Sequence, residues 1–185
     1  TMALVLMPLP RRDFDPTEAG VPWLELTRNG HHVRFATPDG KVARADRRMV
    51  HGTGLGPWKS MLRADKNGLA AYEAMVADPA FQAPWDYTHA ACQTIDGLLL
   101  PGGHAKGMRE YLESITLQVL VARAFKHGIP VGAICHGVVL AARAQTDSGT
   151  SVLHGRKTTA LTRNLELTAW ALTAAWLGSY YRTYP

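Results

Sequence analysis

The run Pro130-Val-Gly-Ala-Ile-Cys135-His136-Gly137 passes from an apolar stretch straight into the apolar segment 138–144, with almost nothing between them. A strand that enters a helix without a loop forces the joining residue onto a sharp elbow, where small neighbours are needed because the turn leaves little room. A buried strand followed immediately by a helix is the repeating step of an α/β sheet. This one segment therefore constrains the fold more than any other part of the chain.

The rest of the sequence keeps the same rhythm. Residues 3–7 are a short continuous apolar run, as in a strand buried on both faces. Asp15-Pro16-Thr17-Glu18 reads as a helix start and Asn29-Gly30 as its end. Residues 32–37 form a second strand, closed by Pro38-Asp39-Gly40. Strands over 97–100 and 130–134, helices over 111–127, 138–144 and 164–177, and a short strand over 157–161 complete the pattern. Alternating strands and helices predict a parallel sheet with helices on both faces, a three-layer α/β sandwich, whose ligands bind beyond the carboxyl ends of the strands. Residues 41–94 interrupt the rhythm with Gly52, Gly54, Gly56, Pro57, Pro79 and Pro84, and read as an insertion or lid within a single domain over 1–185.

Composition narrows the function classes. The net charge of +5 permits nucleic-acid binding, but the basic residues are scattered and carry no recognisable binding motif, so a solvated surface is expected and no nucleic-acid partner. The apolar N-terminal run lacks a basic flank and is broken by Pro8 and Pro10, and the late apolar stretch is too short to span a bilayer. The expectation is a cytoplasmic chain without a membrane partner. The two cysteines, Cys92 and Cys135, are far apart and outside any CxxC pair, which argues against a disulfide framework or zinc ribbon. His31, His32, His51 and His89 show no metal-binding spacing, and no metal or cofactor is expected.

The elbow carries the chemistry. A thiol beside a helix N-terminus is expected to have its pKa lowered, and the thiolate is the attacking species. The amide of Gly137 is a candidate donor to an oxyanion. Cys92 has no such context. Trp23, Trp58 and Trp85 are candidates for covering a pocket, with plain packing the simpler role.

The motif AICHG, preceded by GLLLPGGHA and by an early Glu18, resembles the ThiJ/PfpI superfamily, which includes the parkinsonism-associated protein, PfpI-type proteases and heat-shock chaperone/glyoxalases. Phe14-Asp-Pro-Thr-Glu18 with Pro22-Trp23 is most like the chaperone/glyoxalase branch. The resemblance implies a flavodoxin-like, class I glutamine amidotransferase-like fold and a homodimer. It also implies site roles. Cys135 is the nucleophile, Glu18 the carboxyl that contacts it, and His136 the base or proton carrier. Glu166 is the acidic partner of His136, with Asp147 as the alternative. Gly102 and Gly103 are backbone oxyanion donors, and His104 lines the pocket. Members commonly continue beyond a point matching Tyr180–Pro185, which implies a fragment, a smaller sheet or an edge supplied by a partner.

The resemblance implies three functions, the first of them favoured, with its substrate taken from the resemblance alone. A glutathione-independent glyoxalase converting methylglyoxal to lactate uses the Cys135 thiolate to form a hemithioacetal, with Glu18 and His136 moving a proton between the two carbons. A cysteine peptidase or amidase uses the same Cys-His-acid set for acyl transfer. A holdase chaperone or oxidation sensor uses Cys135 as a switch.

Overall fold

The computed structural model describes residues 1–160 and 162–184, apart from the side chain of Trp58. In chain order the elements are β1 (Leu4–Pro8), β2 (Arg12–Phe14), α1 (Pro16–Arg28), β3 (His32–Thr37), β4 (Arg44–Ala45), α2 (Arg47–His51), α3 (Lys59–Leu62), α4 (Lys66–Ala77), α5 (Pro79–Gln82), β5 (Trp85–Asp86), α6 (Tyr87–Ala91), β6 (Gly97–Leu100), α7 (Arg109–Leu112), α8 (Ile115–Lys126), β7 (Val131–Ala133), α9 (Gly137–Arg143) and α10 (Arg163–Leu177). Five strands form one parallel sheet in the order β5-β3-β1-β6-β7, and β2 and β4 form a separate two-stranded ribbon. This is the flavodoxin-like, three-layer arrangement.

The chain leaves β1 toward one edge through α1 and returns toward the other through α6 and α8. Because such crossovers are right-handed, the two sets of helices lie on opposite faces of the sheet. Accordingly α1 packs on α4, and α6 packs on α8. The apolar strands meet both layers in one core, with Leu6, Met7, Phe35, Leu98 and Leu100 fully buried. The α1–α4 contact is close because Gly20 lies against the backbone of Tyr72, where an added Cβ would come within 2.7 Å of the Tyr72 nitrogen. The reversal of direction between β1 and β6 opens a crevice beyond their carboxyl ends, the usual ligand position in an open α/β sheet.

Most of the expected elements form, with three local departures. The helix expected over 111–127 is interrupted at Glu113–Ser114, because the Ser114 hydroxyl accepts the Leu117 N–H and starts a new helix. No strand forms over 157–160, which are exposed and have no neighbouring strand to pair with; Leu161, the last residue of that expected strand, lies outside the described residues. Residues 41–94 do more than form a flap, since they supply β5 to the main sheet and α4 to one helical layer. Of the two roles open to the tryptophans, plain packing is the one seen at Trp23 and Trp85. Trp23 is buried in the core, and Trp85 stacks under Arg34 at the sheet edge. The side chain of Trp58 lies outside the described residues. No helix among the described residues is long and apolar enough to cross a membrane.

The elbow leaves no room for a larger residue at Gly137. A Cβ there would sit 2.1 Å from the Leu100 carbonyl oxygen and 2.9 Å from its carbon, both of them backbone atoms that cannot rotate away. Gly137→Ala is therefore expected to destabilise the protein by about 3 kcal/mol or more, at the upper end of single-substitution effects. Thermal melting would show a drop in Tm or loss of the folded protein, and an unchanged Tm would refute the tight elbow.

Candidate active site

Three strand ends deliver the site. Glu18 stands in the first turn of α1, which follows β1 and the short β2, Gly102 and Gly103 follow β6, and Cys135 follows β7. Cys135 is one of only two non-glycine residues with positive φ among those described, at 51°. That left-handed conformation is strained for a side-chain-bearing residue, and it is the geometry expected of a nucleophile elbow.

Asp15 caps α1, its carboxylate accepting the N–H groups of Thr17 and Glu18 at 2.8 and 3.1 Å. This cap and the Pro16 that follows fix the first turn and direct Glu18 inward. Glu18 Oε2 accepts the Gly102 N–H at 2.9 Å, and the same carboxyl stands close enough to the Cys135 thiol to raise its pKa. Gly102 has to be glycine, since a Cβ would lie 2.7 Å from that same Oε2 and from the Ile134 carbonyl oxygen. The fold thus brings Glu18 and Cys135, 117 positions apart in the numbering, to one place.

The charge state differs from the expectation. The helix N-terminus was expected to lower the thiol pKa. Instead burial, followed by the negative charge of Glu18, pushes Cys135 up to about 12, and the more distant Asp15 adds to this. A seven-residue helix has too weak a dipole to offset desolvation and two nearby carboxylates. Burial, with Asp15 as the second cause, also raises Glu18 to about 7. The resting sulfur is a neutral thiol, and the carboxyl beside it titrates near neutrality.

His136 supplies a second acceptor. Its Nδ1 lies 3.5 Å from Cys135 Sγ, and its Nε2 lies 3.6 Å from Glu166 Oε1. Burial lowers the His136 pKa, and the Glu166 carboxylate only partly offsets this, so the imidazole rests as a neutral base. Glu166, not Asp147, is the acidic residue the fold places beside His136; Asp147 is exposed and paired with Lys126 at 2.7 Å. His104 packs edge-on against His136 with ring centroids 5.2 Å apart. Burial lowers its pKa to about 4, which keeps it neutral.

The amides are arranged differently from the expectation. Gly102 N–H is held by Glu18, and Gly137 N–H donates to the Ile134 carbonyl at 2.8 Å, so neither is available to an oxyanion. The elbow turn is tight enough that the Gly137 amide closes it. The Gly103 N–H has no hydrogen-bond partner among the described residues and is the remaining candidate donor.

The sequence reading missed the segment after α10. Tyr180 donates its hydroxyl proton to Asp46 Oδ2 at 2.5 Å, and Tyr181 packs edge-on against His104. Thr183 is fully buried, and its hydroxyl reaches both the His104 carbonyl oxygen and His136 Nε2. Tyr184 lies against Arg109 and Arg143. The signal was the dense Tyr180-Tyr-Arg-Thr-Tyr184 run, since buried tyrosines and their arginine neighbours rarely stand idle at the end of a helix. Beside this strap an apolar groove of about 590 Å³ runs along α10 and is bordered by His104, Glu166, Leu172 and Trp176.

The comparisons agree with this architecture. An uncharacterized protein of Schizosaccharomyces pombe is 31% identical over 116 residues, which cover 62% of this chain, so the match spans less than half (42%) of that relative's length. Glyoxalase III of Candida albicans superposes with a TM-score of 0.65 at 17% identity over 97% of this chain and 79% of that one. The rapid encystment protein of Francisella tularensis superposes with a TM-score of 0.66 at 16% identity over 95% and 76%. At these identities the superpositions speak for the fold. A family model described as ThiJ/PfpI family-like matches residues 9–185, which takes in the Cys135 elbow, Glu18 and the Gly102-Gly103 turn, and the chain belongs to the ThiJ/PfpI family.

Proposed function

We propose that this protein is a cysteine-dependent enzyme acting on small reactive carbonyls, a glutathione-independent glyoxalase that converts methylglyoxal and water to lactate. The observation that carries it is the contact of the Cys135 thiol with two proton acceptors of different kinds. One is a carboxyl titrating at about 7 and the other a neutral imidazole. Isomerising a 2-oxoaldehyde requires a proton to leave one carbon and reach the next, and a carboxylate of raised pKa is a stronger base for that step than an ordinary one.

The steps balance as follows. The thiol proton passes to His136 Nδ1 as sulfur bonds to the aldehyde carbon, and the imidazolium returns the proton to the aldehyde oxygen, giving a neutral hemithioacetal. The Glu18 carboxylate removes the C1 proton to form an enediolate, the C1 hydroxyl proton passes to the C2 oxygen, and Glu18 delivers its proton to C2, leaving a lactoyl thioester. Water, activated by His136, cleaves the C–S bond, and lactate leaves as the thiol is restored. The Gly103 amide is the donor available to the developing oxyanion. Acyl transfer from an amide would lean more heavily on an oxyanion hole, and the engagement of the Gly102 and Gly137 amides favours the proton-shuttling reaction. The similarity in fold to a glyoxalase III points the same way.

The test is to incubate the purified protein with methylglyoxal at neutral pH without glutathione, following aldehyde loss and lactate by NMR. Lactate formed in proportion to protein supports the assignment. Methylglyoxal left intact overturns it.

A further inference from the structure

Resting on that reading, the hydrogen-bond geometry assigns Thr183 as a positioning residue that holds His136 in the tautomer with its proton on Nε2, leaving the Nδ1 lone pair facing the Cys135 thiol. Thr183 Oγ1 lies 2.6 Å from the His104 carbonyl oxygen and 3.3 Å from His136 Nε2. A carbonyl oxygen only accepts, and two acceptor oxygens do not approach to 2.6 Å without a proton between them. The single hydroxyl proton therefore lies on the His104 side. Toward His136 the hydroxyl can only accept, so Nε2 must donate. The Glu166 carboxylate, 3.6 Å from the same nitrogen, favours the same state. In a neutral imidazole the other nitrogen is then unprotonated, and it stands 3.5 Å from Cys135 Sγ.

The placement is over-determined. Thr183 has no solvent exposure. Its own carbonyl accepts from Arg109 Nε at 2.5 Å, and the next residue, Tyr184, accepts from Arg143 Nη1 at 2.7 Å. Three residues earlier, Tyr180 is anchored on Asp46. The hydroxyl is the acceptor within hydrogen-bond distance of Nε2, the Glu166 carboxylate standing further off at 3.6 Å, and a buried N–H that loses its hydrogen bond is costly. The groups that face the His136 ring are Cys135, Glu166, His104 and the Thr183 hydroxyl. Of these, Thr183 alone belongs to the strap.

Two measurements test the assignment. In the resting wild-type protein, ¹⁵N imidazole shifts should report a protonated Nε2 and a pyridine-type Nδ1 for His136; a protonated Nδ1 overturns the proposal whether or not any carbonyl is turned over. Thr183→Val preserves shape and removes the acceptor, while Thr183→Ser retains it. The valine variant should lose about 5- to 100-fold in kcat with KM little changed, the effect of one buried hydrogen bond to a reacting imidazole, and serine should restore most of the loss. Should methylglyoxal prove not to be a substrate, the alkylation rate of Cys135 by iodoacetamide at pH 7.5 takes the place of kcat, with the same order of variants expected. A valine variant equal to wild type in the applicable rate, or a serine variant as impaired as valine at an unchanged Tm, overturns the role of Thr183.

Discussion

Cys135→Ala should reduce methylglyoxal turnover by about 10⁴-fold or more, to the level of a protein-free control. The mechanism has no other atom that forms the bond to the aldehyde carbon, and removing the nucleophile of a covalent enzyme removes nearly all of its rate enhancement. Cys92→Ser is the matched control. Cys92 is exposed and has no part in the site, so its loss should leave kcat within about twofold of wild type, as is usual for a surface substitution away from special features. Intact-protein mass spectrometry after incubation with substrate and rapid quenching should find an adduct on Cys135 only. A Cys135→Ala variant that keeps a substantial fraction of wild-type activity would show that the thiol is not the nucleophile, whatever its surroundings.

Glu18→Gln should move two properties in opposite directions. Turnover should fall by about 10²- to 10⁴-fold, the range expected on losing a positioned general base, because an amide cannot take the C1 proton. The thiol should become easier to ionise, because the carboxylate charge helps hold Cys135 up and the neutral amide of glutamine removes that charge. Iodoacetamide alkylation at pH 8 should therefore be faster in the variant than in the wild type. In the wild type kcat/KM should rise as pH increases through about 7, where Glu18 becomes the carboxylate base, and the variant should lack that limb. Stability follows the same ionisation. The folded protein keeps the Glu18 proton up to about 7, whereas the unfolded chain releases it near 4.5, so the stabilisation present below 4.5 is lost as pH rises to 7. That interval corresponds to roughly 3 kcal/mol, so Glu18→Gln should melt at a higher temperature than the wild type at pH 8 and show a flatter pH dependence. Slower alkylation together with lower activity would mean that glutamine had merely disordered the site.

The elbow cysteine and the early carboxyl were legible because each is written in a few adjacent residues. Pro130 to Gly137 can form little except a strand, a sharp turn and a helix, and Asp15-Pro16-Thr17-Glu18 caps a helix with its own side chain. Glu166 could not be separated from Asp147 by sequence, since both are acidic residues after the elbow. The fold decides between them by pairing Asp147 with Lys126 and bringing α10 back over His136. The lid expected over 41–94 misjudged β5, whose two residues, Trp85 and Asp86, are too few to show a periodic pattern. The strap was missed because its tyrosines are explained only by partners as distant as Asp46 and Arg48.

Sequence by itself determined the parallel α/β sheet, the elbow at Cys135 and the set of residue types gathered at the strand ends. These follow from short-range sterics and from hydrophobic periodicity, which neighbouring residues impose on one another. Only the tertiary arrangement settles that the thiol rests protonated, that Glu18 titrates near 7, that two of the three glycine amides are occupied, and that Thr183 reaches the His136 imidazole. Such properties depend on burial and on distances between groups that the chain brings together from 47 to 84 residues apart or more, and desolvation and hydrogen bonding are set by what surrounds a group in space, not by what precedes it in the chain.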